Sequence, residues 1–342
     1  MTLRDLGERR ILREVLPEFC PLAGDDCTFL ARDLSGIVIT TDPAPEPAAK
    51  LIGRDADPYW LGWLHVTINA SDIAAAGAAP LAFVSALELP PDYELPDLKR
   101  LLAGTRECCA LHGFTYAGGN LKEATRVSAV GTAIGAAEPR RVLGRGGARA
   151  GDVVVSVGEC GIFWRDALAA HSGKEVADKA RSPLFAPRAQ TGPMRALAAQ
   201  GLITAAIDNS DGLLPSLEQL AISSRVDITV NLENLVPPPD APAGLDPARL
   251  WLGWGDWNVV ATMRVGDLAS AKRLVAHEGV PVTPIGYCSP GTGSVVLERA
   301  GRRSIAPRLE SERFAADSWF GTGVDGYIKL IRTVELPSPP TL

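Results

Sequence analysis

Apolar positions in this chain fall into two rhythms, one recurring every third or fourth residue and one nearly continuous over short stretches, which together predict helices interleaved with strands. Leu6, Ile11, Leu12, Val15, Leu16 and Phe19 recur near helical spacing and predict an amphipathic N-terminal helix ending before Pro21. Ile37 to Thr41 is a β-branched run that predicts a strand delivering Asp42 at its end, and the proline-spaced stretch Pro43 to Pro47 predicts a loop. Tyr59 to Gly77 is apolar or small on nearly every face, the pattern of a buried helix. A strand over Leu81 to Leu87, a helix over Leu95 to His112 and a strand over Arg126 to Gly135 complete the first half.

Arg140 to Gly151 is rich in Gly and Arg and has no hydrophobic period, so a domain boundary is expected there. Beyond it the pattern restarts: a strand at Asp152 to Val157, a helix from about Phe163 to His171, a strand at Leu202 to Ile207, a helix at Gly212 to Ser223 and a strand at Val226 to Val230. Pro237 to Gly244 reads as a loop. The expectation is α/β in both halves, with an N-terminal domain over 1–143, a C-terminal domain over 144–336 and a disordered tail over 337–342.

Composition narrows the function classes. At 342 residues the chain exceeds the usual span of one core, which favours two domains meeting at a cleft. With 46% hydrophobic and 22% charged residues it can bury a sizeable core, and a net charge of −6 without a dense Lys/Arg cluster argues against nucleic acid as a partner. The six cysteines include no CxxC pair, so reduced, mostly buried thiols are expected. No signal-peptide pattern and no apolar run of membrane-spanning length is present, and a cytoplasmic protein is expected.

Candidate chemistry resides in aspartates placed beside small residues at the ends of apolar runs: Asp25 and Asp26, Asp42, Asp72, and Asp208 with Asp211. Asp72 is the most telling, because it interrupts a helix otherwise suited to burial, where an unpaired carboxylate costs several kcal/mol. His65, Asn69 and Asp72 fall at i, i+4 and i+7, one polar stripe that either faces a site or forms a buried hydrogen-bonded network. Capping accounts for Ser210 or Asp211 at a helix start, but not for Asp208. Several carboxylates converging on one cleft repel one another unless divalent cations neutralise them, and an oxygen-only set favours magnesium over zinc. The chain has no GxxxxGK[ST], no dinucleotide fingerprint, no GxSxG and no HExxH.

Four segments, GDDCTFL at Gly24 to Leu30, TTD at Thr40 to Asp42, TINASDIAAAGAAP at Thr67 to Pro80 and AIDNSDGLLPSL at Ala206 to Leu217, occur in the order and approximate spacing of the thiamine-monophosphate kinase family. The chain resembles that family, within the aminoimidazole ribonucleotide synthetase and selenophosphate synthetase superfamily, from about Asp5 to Tyr327. The resemblance implies a two-domain α/β (α+β) fold of aminoimidazole ribonucleotide synthetase type, with the N-terminal sheet pairing in a homodimer and the C-terminal domain completing a cleft for ATP. It further implies Mg2+ and transfer of the γ-phosphoryl group to a small-molecule acceptor. Carried over, Asp25, Asp42, Asp72, Asp208 and Asp211 would hold metal, with Asp208, Asp211 and Arg145 serving the transfer. Asp26, Thr41, Gly118, Gly119, Asn120, Arg145 and Ser210 would lie near nucleotide or metal.

Departures cluster on the acceptor side. One falls on the metal side, where Asn120 replaces the carboxylate of the family's Gly-Gly-Asp turn; on the acceptor side, PAPEPAAKLI at Pro43 to Ile52 replaces a Gly-x-His-Phe type segment. Gly253 to Asn258 lacks both glutamates of the corresponding family segment, and Val324 cannot stack as an aromatic residue would. Trp254, Trp257, Asp256 and Tyr327 are the acceptor candidates. Thiamine phosphate is the first acceptor implied; an ATP-dependent ligase activating an amide or carboxyl oxygen, and a degenerate nucleotide-binding protein, are the alternatives.

Overall fold

The computed structural model describes residues 25–32, 35–138, 140–307 and 319–338, together with residues 10, 13, 14 and 309. The N-terminal helix expected over Leu6 to Phe19 and the end of the expected tail fall largely outside these residues.

The first sheet contains β1 (Thr28–Arg32), β2 (Ser35–Pro43), β3 (Ala79–Leu89), β4 (Thr115–Glu123) and β5 (Ser128–Ala137), in the order β1-β2-β5-β3-β4. All its neighbours are antiparallel except β3 and β4, which run parallel. A short helix α1 (Ala48–Leu51) follows β2, and α2 (Tyr59–Ala75) and α3 (Leu95–His112) cover one face of the sheet. The second sheet contains β6 (Asp152–Val157), β7 (Ala205–Asp208), β8 (Val226–Asn231), β9 (Val259–Arg264), β10 (Val282–Pro290), β11 (Val295–Arg299) and β12 (Arg302–Ile305), in the order β12-β11-β8-β10-β6-β9-β7.

Helices α4 (Ile162–His171), α6 (Leu213–Ser224), α7 (Ala248–Leu252) and α9 (Trp319–Thr333) belong to one core of this half, and α5 (Thr191–Ala199) and α8 (Leu268–Val275) to another. Strand β6 explains the division: its Val153, Val155 and Val157 enter the second core while Val154 enters the first, so an unbroken apolar run is buried on two faces.

Helix α2 joins the halves. From Gly62 to Ala75 every residue is buried, because α2 packs on the first sheet and α3 on one side and on α5, β7 and β9 of the second half on the other. A helix without a solvent face explains a sequence that is apolar or small all round. Its polar residues are satisfied internally: His65 Nδ1 lies 3.0 Å from the Gly62 carbonyl and Nε2 2.9 Å from Ser85 Oγ, while Asn69 Nδ2 donates to the His65 carbonyl at 2.8 Å. Burial drives the His65 pKa down to about 4, so its ring is neutral.

Predicted and observed elements agree closely wherever one face is clearly apolar; α3 has the predicted bounds. Two expectations change. Strand β2 starts earlier than expected, at Ser35, and runs one residue past Asp42, its penultimate residue. Gly118 and Gly119, expected in a turn, lie within β4, an edge strand exposed at nearly every position; φ is 103° at Gly118 and 150° at Gly119, beside a shift in the β3–β4 register. A Cβ at Gly119 would sit 1.7 Å from the Ser85 carbonyl oxygen, so close strand approach requires this glycine.

Helices α2 and α3 approach equally closely. A Cβ at Gly62 would lie 1.9 Å from the Leu101 carbonyl oxygen, and one at Gly104 would lie 2.1 Å from that of Tyr59. Gly104→Val should therefore separate the helices and destabilise the protein by about 3 kcal/mol or more, measured by urea unfolding. An unchanged midpoint would show that this contact tolerates a side chain.

Candidate active site

Six aspartates, Asp25, Asp26, Asp42, Asp72, Asp208 and Asp211, line one cavity of about 280 Å³ to which both halves of the chain contribute. The fold brings them together from separate elements. Asp25 and Asp26 precede β1, Asp42 is on β2, Asp72 is on α2, and Asp208 ends β7 just before the turn that carries Asp211. Carboxylate oxygens of Asp26, Asp72 and Asp208 lie within 4.8 Å of one another.

Specific neighbours hold most of these acids. Thr40 Oγ1 donates to Asp72 Oδ2 at 2.6 Å, Ser71 Oγ to Asp208 Oδ2 at 2.8 Å, and Ser210 Oγ to Asp208 Oδ1 at 2.8 Å. The backbone N–H of Asp42 donates to Asn69 Oδ1 at 3.1 Å, tying β2 to α2. Arg145 comes from the irregular segment between the domains: its N–H donates to Asp25 Oδ1 at 2.8 Å and its Nη2 to Asp26 Oδ1 at 2.5 Å. Arg145 Nη1 also donates to Gln219 Oε1 at 2.8 Å, and Gln219 Nε2 lies 3.5 Å from Asp211 Oδ2.

Burial disfavours the charged form of these carboxyls, and mutual repulsion adds to it. Asp72 is pushed well above the usual range by burial and then by Asp208, Asp42 and Asp26. Asp208 is raised to about 7 by burial, with Asp26 contributing and the Ser71 and Ser210 hydroxyls opposing. Asp26 is also raised by burial, against the pull of Arg145. Among the described residues Arg145 is the one guanidinium lining the cavity with these carboxyls, which leaves an oxygen-only site short of positive charge, a donor set that fits a hard divalent cation.

Structure and sequence diverge at particular residues. Thr41 points away from the cleft, with its Oγ1 2.8 Å from the Gly131 carbonyl and 2.9 Å from Thr132 Oγ1. Alternation along β2 puts Thr40 on the same side as Asp42, a pattern readable from the sequence. Ser71 and Gln219 also serve the site without a signal in the sequence, because neither residue type marks a site by itself.

Ser210 is not the helix cap: Gly212, with φ 100°, holds that position before α6, and Ser210 serves Asp208. Of the His65, Asn69 and Asp72 stripe, only Asp72 lines the cavity. Gly118, Gly119 and Asn120 are absent from its lining.

The cavity continues as an apolar arm bounded by Trp60, Leu64, Phe185, Trp254 and Trp257. Trp254 packs on Phe163 at a centroid distance of 4.9 Å and on Trp164 at 5.5 Å. Tyr327 does not line the arm; it is buried behind it, 6.0 Å from the Trp254 ring. Nor does Asp256, whose carboxylate accepts the N–H groups of Gly161 at 2.6 Å and Phe163 at 2.7 Å and thereby fixes the start of α4. Val324 does line the cavity.

The sequence matches the family model for AIR synthase related protein, N-terminal domain, over residues 24–137 and that for the C-terminal domain over residues 149–298. It is 31% identical over 318 residues to a thiamine-monophosphate kinase of Halobacterium salinarum, covering 91% of this chain and 99% of that protein. Over 313 residues it is 30% identical to a thiamine-monophosphate kinase of Pyrococcus horikoshii, covering 89% and 95%. Among solved structures it is similar to AaThiL complexed with AMPPCP and TMP, with a TM-score of 0.74, 25% identity and coverage of 88% and 96%.

The raised Asp208 pKa has a consequence for stability. Between its ordinary value near 4 and about 7, the native state binds more protons at this site than the unfolded chain, so native stability falls as pH rises through that window. In chelator, the melting temperature should drop by several degrees between pH 5 and 8, and Asp208→Asn should flatten that dependence and raise the value at pH 8. Calorimetry showing equal slopes for both proteins would contradict the assignment.

Proposed function

The chain belongs to the thiamine-monophosphate kinase family of AIR synthase related proteins and is a phosphotransferase of that kind; on that footing we propose that it transfers the γ-phosphoryl group of ATP to thiamine phosphate, with magnesium. The observation that carries this reading is the convergence of six aspartates and Arg145 at the mouth of an aromatic arm. Asp26, Asp72 and Asp208 form the nearest-neighbour group for a cation, with Asp25, Asp42 and Asp211 around them. Bound magnesium would neutralise phosphate charge and orient the triphosphate.

The protein's own residues supply positioning and charge. Thr40, Ser71 and Ser210 hold Asp72 and Asp208 by their hydroxyls, fixing the carboxylates before a nucleotide arrives. Arg145, steered by Gln219, places a guanidinium beside the same acids, where it can stabilise charge on the transferring phosphoryl group. The acceptor is already a phosphate, so no general base has to remove a proton from it. Its attacking oxygen forms the new P–O bond as the bond to ADP breaks.

The aromatic arm supports a ring-bearing acceptor. Val324 offers no stacking surface, but Trp60, Phe185, Trp254 and Trp257 bring aromatic rings to the same cavity. Retention of the acids and of Arg145 in one cavity weighs against a nucleotide-binding protein without turnover. Pairing of two copies through the first sheet is part of this proposal. The sheet face away from α2 and α3 carries Ile37, 44% exposed, with Val84, Val130 and Ile134 only partly covered, an apolar surface of the kind an interface buries.

Phosphorus NMR of a mixture of protein, ATP, magnesium and thiamine phosphate should show ADP and a diphosphate ester accumulating together. Asp72→Asn should lower kcat/KM by at least about a thousandfold, and Arg145→Lys by about a hundredfold or more. ADP formation that requires a different acceptor would overturn the substrate assignment. Release of free phosphate with C–N bond formation would overturn the kinase reading.

A further inference from the structure

A second cavity, of about 550 Å³, shares Pro183 with the acidic cleft but none of its aspartates. We propose that this cavity binds a small molecule through an oxyanion, a carboxylate or a phosphate group. The proposal goes beyond the kinase reading and does not depend on it.

The strongest indication is His112, at the end of α3. It is 6% exposed and lines the cavity, and its Nε2 is buried without a hydrogen-bond partner. Its Nδ1 lies 3.5 Å from Thr191 Oγ1, at the outer limit of a hydrogen bond. Burial first and then Arg188 depress the ring's pKa to about 4, so the imidazole is neutral. In the tautomer where Thr191 donates to Nδ1, Nε2 carries a proton and requires an acceptor, and a buried donor left without one costs about 1–3 kcal/mol.

Other donors line the same cavity. Helix α5 begins at Thr191 without a side-chain cap; Gln190, which precedes it, donates instead to the Arg188 carbonyl at 3.0 Å. The exposed Arg181, Arg188 and Arg195 line the cavity around this uncapped end. Helix N-termini and guanidinium groups both favour oxyanions.

The chain's own acids fit the same reading. Glu278, on the short turn Ala276–Glu278, brings a carboxylate to the first turn of α5: a Cβ added at Gly192 would lie 2.5 Å from Glu278 Oε2. This exposed side chain stands where a ligand oxyanion would bind and can be displaced into solvent. Glu159 also lines the cavity and is exposed, whereas the Asp256 carboxylate is occupied by the N–H groups of α4.

The test uses the full chain in chelator without nucleotide, titrated calorimetrically with inorganic phosphate, ribose 5-phosphate and citrate. At least one should bind. The double variant Arg188→Gln/Arg195→Gln, which alters exposed side chains only, should weaken that binding at least tenfold, and Glu278→Gln should tighten it. Equal binding of phosphate and ribose 5-phosphate would show that the head group suffices; preference for ribose 5-phosphate or for citrate would identify an organic phosphate or a carboxylate as the class. No binding of any probe, binding unaltered in the double variant, or weaker binding in Glu278→Gln would overturn the proposal.

Discussion

Mutual repulsion of buried carboxylates is the constraint around which this molecule is arranged. Asp26, Asp72 and Asp208 bring oxygens within 4.8 Å of one another in a place that water barely reaches. Unshielded charges at that spacing in a low-dielectric setting would oppose folding by several kcal/mol, so the arrangement persists only with compensation. Part of it is built in. Three hydroxyls and Arg145 meet the acids directly, and burial pushes Asp72 and Asp208 towards their protonated forms. The remaining deficit of positive charge is the physical basis for reading the cluster as a cation site.

Meeting that constraint dictates much of the architecture. The acids come from both halves, so the halves must be held in register, and α2 does this by burying itself between them. One helix thereby sets Asp72 beside Thr40 of the first sheet and Ser71 beside Asp208 of the second. Glycines at Gly62 and Gly104 let α3 close against α2, and Asn69 ties β2 to the same helix. The aromatic arm draws on both halves: Trp60 comes from α2, and in the second half Asp256 fixes the start of α4 and positions Phe163 against Trp254.

Legibility in the sequence followed the strength of the local physical signal. Helix α2 could be read because its sequence is apolar or small on nearly every face, and the aspartates stood out because they end apolar runs or, at Asp72, interrupt one. Strand β4 escaped because an exposed edge strand carries no alternating pattern, and its two glycines looked like a turn. The family resemblance points to Thr41, but neighbouring strand residues face opposite sides, and it is Thr40 that reaches Asp72. Asp256 and Tyr327 shared a sequence neighbourhood with true lining residues, but helix capping and packing claimed them. The second cavity had no sequence signature, since its arginines and His112 come from separate segments that only folding assembles.

Direct observation of a cation at the acidic cluster tests the account most closely. Electron paramagnetic resonance of Mn2+ titrated into the protein with a non-hydrolysable ATP analogue should show the free-ion signal quenched as metal binds. Asp72→Asn and Asp208→Asn should each restore most of that signal. Undiminished quenching in both variants would mean that these carboxylates do not hold metal, and that their burial answers to some other force.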